Sequence, residues 1–85
     1  MKQVQLTHKE TQLIFWALTK KMGYKKSELL SETTGIVINN LLKDDFVRFS
    51  ICYHLNKLDS KKIEKFELTD AIKSLNARFE YEEVI

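Results

Sequence analysis

The sequence has 85 residues, 44% of them hydrophobic and 31% charged, with a formal net charge of +2. This length and composition predict one helical domain over 1–85, with a short flexible N-terminus at 1–6 and an acidic C-terminal tail at 80–85. One cysteine and two histidines exclude an internal disulfide and a standard zinc site. The longest apolar run, Leu13–Leu18, is six residues, whereas a membrane span needs about 20. With no hydrophobic signal core in the first ten residues, we expect a cytoplasmic protein.

The sequence contains no proline and only two glycines, Gly23 and Gly35. Because few residues favour tight turns, helices are favoured over a meandering sheet. We therefore predict an all-α fold, a small bundle of four or five short helices around one core, with a helix-turn-helix-like arrangement as one variant.

The first predicted helix begins after Thr7 and runs through Met22. Thr7 and Glu10 have the spacing of a capping box, in which each side chain accepts a hydrogen bond from a free backbone N–H of the other residue. Gly23 follows in the position that favours a left-handed residue after a helix. The predicted core stripe of this helix consists of Ile14, Ala17, Leu18 and Met22.

Phe15 and Trp16 lie outside that stripe, on other sides of the same helix. Two interpretations stay open. The helix is either central and wrapped by its neighbours, or it presents Phe15 or Trp16 in an interface.

The middle of the chain predicts a short helix from Lys25 or Ser27 to Thr33, with Leu29 and Leu30 as its core pair. The sequence Thr33-Thr34-Gly35 is the expected stop. Two helices over 36–43 and 45–58 are favoured over one long helix, because Asp44 or Asp45 can cap a new start. The expected core stripe of the second helix is Val47, Ile51, Leu55 and Leu58.

The last third of the chain predicts a short turn of helix after Asp59 or Ser60, with a strand over 63–68 as the alternative. A final helix is expected to begin with Thr69 as its N-cap. Its apolar face consists of Leu68, Ala71, Ile72, Leu75 and Phe79.

Catalytic chemistry finds little support in the sequence. Cys52 and His54 are two residues apart, so on a helix they diverge by about 200°. Cys52 lies in an apolar run and is expected to be a small buried residue. There is no glycine-rich phosphate loop. We therefore expect a non-enzymatic protein without a metal site, cofactor or small-molecule substrate.

Charge is distributed unequally along the chain, at +4 over residues 1–43 and −2 over 44–85. Four lysines cluster around the turn after the first helix, where they either form a solvated turn or attract an anionic partner. Together with the nearby aromatic residues they form the predicted partner-binding set: Phe15, Trp16, Lys20, Lys21, Tyr24, Lys25 and Lys26.

The segment Arg48–Ile63 resembles the recognition helix and following turn of winged helix-turn-helix regulators. It shares with that family a polar-faced helix containing Leu-x-x-Leu, followed by a basic turn. The resemblance covers under a quarter of the chain, and the usual glycine before the wing strand is absent. It implies DNA contacts through Arg48, Ser50, His54, Asn56, Lys61 and Lys62.

These observations favour a small regulator, adaptor or inhibitor that binds a protein partner or forms a homo-oligomer, away from any membrane. DNA binding through a helix-turn-helix or winged-helix variant is the alternative.

Overall fold

A computed structural model describes residues 6–29 and 34–82. Every regular element in these two ranges is helical, which confirms the predicted all-α fold. No helix within them is long and apolar enough to cross a lipid bilayer. The helices are α1 (His8–Trp16), α2 (Lys26–Leu29), α3 (Thr34–Leu41), α4 (Asp45–Leu55), α5 (Ser60–Lys65) and α6 (Thr69–Arg78), and a π-helical turn (Ala17–Lys21) continues α1.

The start of α1 has the predicted capping box. The Glu10 N–H donates to Thr7 Oγ1 at 3.2 Å, and the Thr7 N–H donates to Glu10 Oε1 at 2.9 Å. At the other end, Gly23 has a φ of +81°, which is the left-handed conformation that favours glycine. The predicted limits of this first helical segment are therefore confirmed.

The geometry of its second half differs from the prediction, because the backbone hydrogen bonds there span five residues instead of four and form a π-helical turn. The Met22 N–H donates to the Ala17 carbonyl at 3.0 Å, and the Tyr24 N–H reaches the Leu18 carbonyl at 2.9 Å. In a π-helix, residues five apart become neighbours along the axis. The ammonium of Lys21 accordingly lies 5.6 Å from the centroid of the Trp16 ring, where it makes a cation–π contact.

The central segment forms two helices, as predicted, and the alternative of one long helix is wrong. Asp44 has an extended backbone and accepts a hydrogen bond from the Phe46 N–H at 2.8 Å, so it caps α4. Helix α3 begins at Thr34, two residues before the predicted start, and Gly35 lies in its first turn rather than acting as a stop. The predictions for Leu30 and Thr33 lie outside the described residues.

Asp59 caps α5 through a 2.9 Å hydrogen bond from the Lys61 N–H, and the alternative of a strand over 63–68 is wrong. Residues 63–68 therefore provide no counterpart of the wing strand of the helix-turn-helix family. Thr69 is the first residue of α6 and not its N-cap, a position taken by Leu68 without a side-chain hydrogen bond. The chain reverses at Glu67, whose φ is +54°, and the Leu68 N–H bonds the Ile63 carbonyl at 2.9 Å. This turn starts the helix one residue too early for the Thr69 hydroxyl to cap it.

One core joins the helices. Helix α4 packs against the π-helical turn and against α6, and α6 packs against α1. The predicted stripes of α1, α4 and α6 supply most of the core, and Leu58 and Met22 are half-buried at its edge. The buried members are Leu13, Ile14, Ala17, Leu18, Leu29, Ile38, Leu42, Val47, Ile51, Leu55, Ile72 and Leu75.

Both termini of the chain are only partly described. Leu6 is half-buried and packs against the core, and residues 1–5 lie outside the described ranges. After α6 the backbone turns at Glu80, and the Tyr81 N–H donates to the Asn76 carbonyl at 2.9 Å. Residues 83–85 of the predicted acidic tail are outside the described residues.

A buried carboxylate fastens α1 to α6. Glu10 is only 1% exposed. The Ser74 hydroxyl donates to its Oε2 at 3.0 Å, and the Arg78 guanidinium lies 3.4 Å from the same oxygen. Burial by itself would raise the pKa of Glu10, but the hydrogen bonds from Thr7 and Ser74 and the charge of Arg78 outweigh it and hold that pKa below its ordinary value.

Candidate functional site

The predicted partner-binding residues do not form one surface, because six of the seven are divided between two clefts and Lys25 lines neither of these. Phe15 and Trp16 are half-buried against the core and line a cleft of about 420 Å³ together with Lys20 and Lys26. Neither ring is fully enclosed, so the interface interpretation of this helix stays a prediction. The ring of Trp16 also lies under Lys21.

Tyr24 lies in a different cleft, between the end of the π-helical turn and α4. This cleft has a volume of about 470 Å³ and is lined by Lys21, Tyr24, Phe46, Ser50 and His54 among others. The end of the first helical segment and α4 each contribute four residues to this cleft.

The four lysines of the predicted basic cluster, Lys20, Lys21, Lys25 and Lys26, are all exposed. Only Lys21 lines the cleft beside α4, whereas Lys20 and Lys26 border the cleft at Phe15. The cluster is thus spread over two sides of the molecule, and one ligand of modest size would not meet all four charges.

The outer side of α4 carries three of the four large hydrophobic residues that are exposed among those described. Phe46 is 72% exposed, Phe49 50% and Tyr53 42%. Their spacing of i, i+3 and i+7 places them on one side of the helix, opposite the buried Val47 and Ile51. We call Phe46, Phe49 and Tyr53 the aromatic face. Scattered exposed apolar residues are ordinary, whereas several large rings on one helix side are not.

Neighbouring side chains hold this face in place. The rings of Phe49 and Tyr53 stack with centroids 6.3 Å apart, and Tyr81 from the C-terminal segment lies 5.4 Å from Phe49. The ammonium of Lys57 is 5.3 Å from the centroid of the Tyr53 ring. Such contacts restrict the rings before any partner arrives, which lowers the entropy cost of binding.

The aromatic face was missed in the sequence analysis, although its spacing is readable in the sequence. The stripe of Val47, Ile51 and Leu55 accounts for the core side of α4, and the three aromatic residues repeat at helical spacing on the opposite side. A helix with apolar residues on both sides indicates either full burial or a second contact. The exposed Phe66 lies outside this face, after α5.

The structure does not gather the residues implied by the helix-turn-helix resemblance into one site. The Arg48 guanidinium donates to the Leu42 carbonyl and forms an ion pair with Asp45. Ser50 and His54 line the cleft beside Tyr24, on another side of α4.

The remaining three lie elsewhere. Asn56 exchanges hydrogen bonds with Asn76 at 2.8 and 3.2 Å, on the side of α4 that faces α6. Lys61 and Lys62 are exposed on α5. The exposed side of α4 carries the aromatic face at its centre instead of polar side chains. It is therefore poorly suited to form hydrogen bonds with the edges of DNA bases.

The one cysteine is confirmed as a buried core residue. Cys52 has no exposed surface, and its thiol donates to the Leu75 carbonyl at 3.9 Å. Burial raises the pKa of Cys52 to about 11, so the thiolate needed for nucleophilic attack is scarce at neutral pH. Across residues 6–29 and 34–82, no group of three or more histidine, cysteine, aspartate or glutamate side chains is placed to hold a metal ion.

Comparisons with protein-family models, with curated proteins and with solved structures found no significant match. Any proposal about function therefore rests on the geometry of the chain itself.

Proposed function

We propose that this chain is a non-enzymatic binding protein, a small regulator, adaptor or inhibitor, that docks another protein on the aromatic face of α4. The observation that carries the proposal is the exposure of three large rings on one side of a single helix. Aromatic side chains are enriched in the cores of protein interfaces and supply much of their binding energy.

The surroundings of the rings support a protein partner. The cleft between Tyr24 and α4 adjoins Phe46 and would accept an apolar side chain of the partner. Polar groups border it, including Ser50, His54 and Lys21. An apolar centre with a polar rim is the usual arrangement of a protein interface.

The aromatic face can be tested with a substitution and a matched control. Phe49→Glu places a charge at its centre, and Phe66→Glu places the same charge on an exposed phenylalanine elsewhere. Tagged wild-type protein and both variants are used to capture partners. We expect the wild type and Phe66→Glu to retain the same proteins and Phe49→Glu to lose them.

Footprinting then locates the contact. In a complex reconstituted with a captured partner, Phe46, Phe49 and Tyr53 should be protected from hydroxyl-radical oxidation while Phe66 stays reactive. A Phe49→Glu variant that folds and retains every wild-type partner would contradict the proposal.

DNA binding is the competing outcome of these experiments. Anisotropy of a labelled random duplex at low salt measures it directly, because phosphate contacts weaken steeply as salt is added. Binding that is abolished by Lys61→Glu/Lys62→Glu and unaffected by Phe49→Glu would replace the protein-docking proposal with the helix-turn-helix alternative. No change in anisotropy with excess duplex would remove that alternative.

A further inference from the structure

The two long edges of the aromatic face carry opposite charge. Along one edge, Lys21 lines the cleft beside Phe46, and Lys57 lies over Tyr53. We call these two lysines the basic margin.

Along the other edge, Glu80 and Glu82 line a cleft with Phe49 and are both exposed. These two glutamates are the acidic margin. Arg48 and Arg78 line the same cleft, but each forms an ion pair with a carboxylate of its own, Asp45 and Glu10 respectively.

We propose that the partner seated on the aromatic face is a second copy of this chain, with the two α4 helices packed near-parallel about a two-fold axis. This inference rests on the proposed function, since it needs the aromatic face to be the docking surface. It adds the identity of the partner and the orientation of the complex.

Symmetry selects the near-parallel orientation. A two-fold axis running along α4 brings each margin of one protomer against the opposite margin of its partner, so lysines meet glutamates on both sides. A two-fold axis across the helix, which makes the helices antiparallel, brings lysines against lysines and glutamates against glutamates. Like charges facing each other across an interface disfavour association. The face is therefore complementary to itself in one orientation only.

The centre of the interface follows from the same axis. Residues nearest the axis meet their own copies in the partner, and because the axis runs along α4 these are the residues of the aromatic face, Phe46, Phe49 and Tyr53. Their rings would be shielded from water by the charged margins, the arrangement in which interface aromatic residues contribute most energy.

Sedimentation velocity over a concentration series tests self-association. We expect the wild type and Phe66→Glu to shift to twice the mass of the chain as concentration rises, and Phe49→Glu to stay monomeric. A wild type that stays monomeric at every concentration would overturn this inference. It would leave the docking proposal to be decided by the capture experiment, so the two failures are distinguishable.

Charge reversal tests the orientation. Lys21→Glu/Lys57→Glu makes both margins acidic, and Glu80→Lys/Glu82→Lys makes both margins basic. We expect each variant alone to remain monomeric and their equimolar mixture to recover the dimer, because every margin then meets its opposite. Helical circular dichroism of each variant confirms that it folds.

An antiparallel dimer would respond differently. In that arrangement each margin faces its own copy, so reversing the charge of one margin replaces a contact between like charges with another contact between like charges. The variants with one reversed margin would therefore keep the wild-type affinity. Single-margin variants that still dimerise, or a mixture that fails to, would overturn the near-parallel arrangement.

Discussion

At the contact between α1 and α6 a carboxylate, Glu10, is 1% exposed, whereas on α4 a phenylalanine, Phe46, is 72% exposed. Both side chains are in the environment that their chemistry disfavours. The carboxylate has its partners inside the chain, where Thr7, Ser74 and Arg78 supply hydrogen bonds and charge. The phenylalanine keeps most of its ring in water. The buried carboxylate is thus satisfied inside the chain, whereas the ring of Phe46 belongs to a group of exposed rings on one helix side, on which the proposal of a partner rests.

The largest expected effect is a loss of stability that distinguishes the buried side of α4 from the aromatic face. Leu55→Ala removes a fully buried side chain and should lower the free energy of unfolding by about 2–5 kcal/mol. Phe46→Ala, on the aromatic face, should change it by less than about 0.5 kcal/mol. Urea denaturation monitored by circular dichroism measures both values. Equal losses would mean that the aromatic face is part of the folding core.

The next effect concerns the buried carboxylate. Glu10→Ala leaves the Thr7 N–H and the Ser74 hydroxyl without their acceptor and should cost about 2–3 kcal/mol in the same denaturation assay. Glu64→Ala is the matched control, because Glu64 is exposed within α5, and should cost less than about 0.5 kcal/mol. A loss at Glu10 as small as that of the control would show that the carboxylate does not fasten α1 to α6.

Asn56 provides a smaller effect and bears on the DNA alternative. Its amide nitrogen donates to the Cys52 carbonyl at 2.7 Å and to Asn76 at 2.8 Å. Asn56→Ala should therefore cost about 1 kcal/mol of stability. The control is Asn40→Ala, at an exposed position on α3. A variant with full stability and weakened DNA binding would instead support the role implied by the helix-turn-helix resemblance.

The smallest expected effect is a change in how steeply the free energy of unfolding varies with pH. Because the pKa of Glu10 is lower in the folded state than its ordinary value of 4.5, the unfolded state binds more protons between the two values. The contribution of Glu10 is complete above 4.5 and is lost as the pH falls through the folded value. Glu10→Gln should therefore flatten the decline of stability in acid relative to the wild type. Urea midpoints measured stepwise from neutral to acidic pH give the slopes, and identical slopes would contradict the interpretation.

Features set by neighbours in the sequence could be predicted, and those set by distant contacts could not. The caps at Thr7, Asp44 and Asp59 depend on residues two or three positions away, so the local pattern contains them. The N-cap of α6 was placed one residue late, because the turn at Glu67 fixes where that helix begins. No local pattern indicated the π-helical turn.

The candidate site shows the same limit. The spacing of Phe46, Phe49 and Tyr53 is visible in the sequence, but whether a second apolar side of α4 is covered depends on the neighbouring helices. In the folded chain α4 contacts the π-helical turn and α6 on its other sides, which leaves the three rings uncovered. Tyr24 is an aromatic residue near lysines in the sequence, but its position beside α4 follows from tertiary packing.

The π-helical turn makes the first helical segment tolerant of a change in length. A chain with one residue fewer between Phe15 and Met22 could close an ordinary α-helix over the same span, because a π-helical turn holds one extra residue. The bond from the Met22 N–H to the Ala17 carbonyl would then have the ordinary α-helical spacing. Lys21 and Tyr24 would keep their positions around the helix axis, and the core stripe would stay in register. A single-codon deletion at Thr19 is therefore expected to leave a folded protein whose basic margin stays in place, whereas the same deletion within a regular α-helix would rotate the residues after it by about 100°.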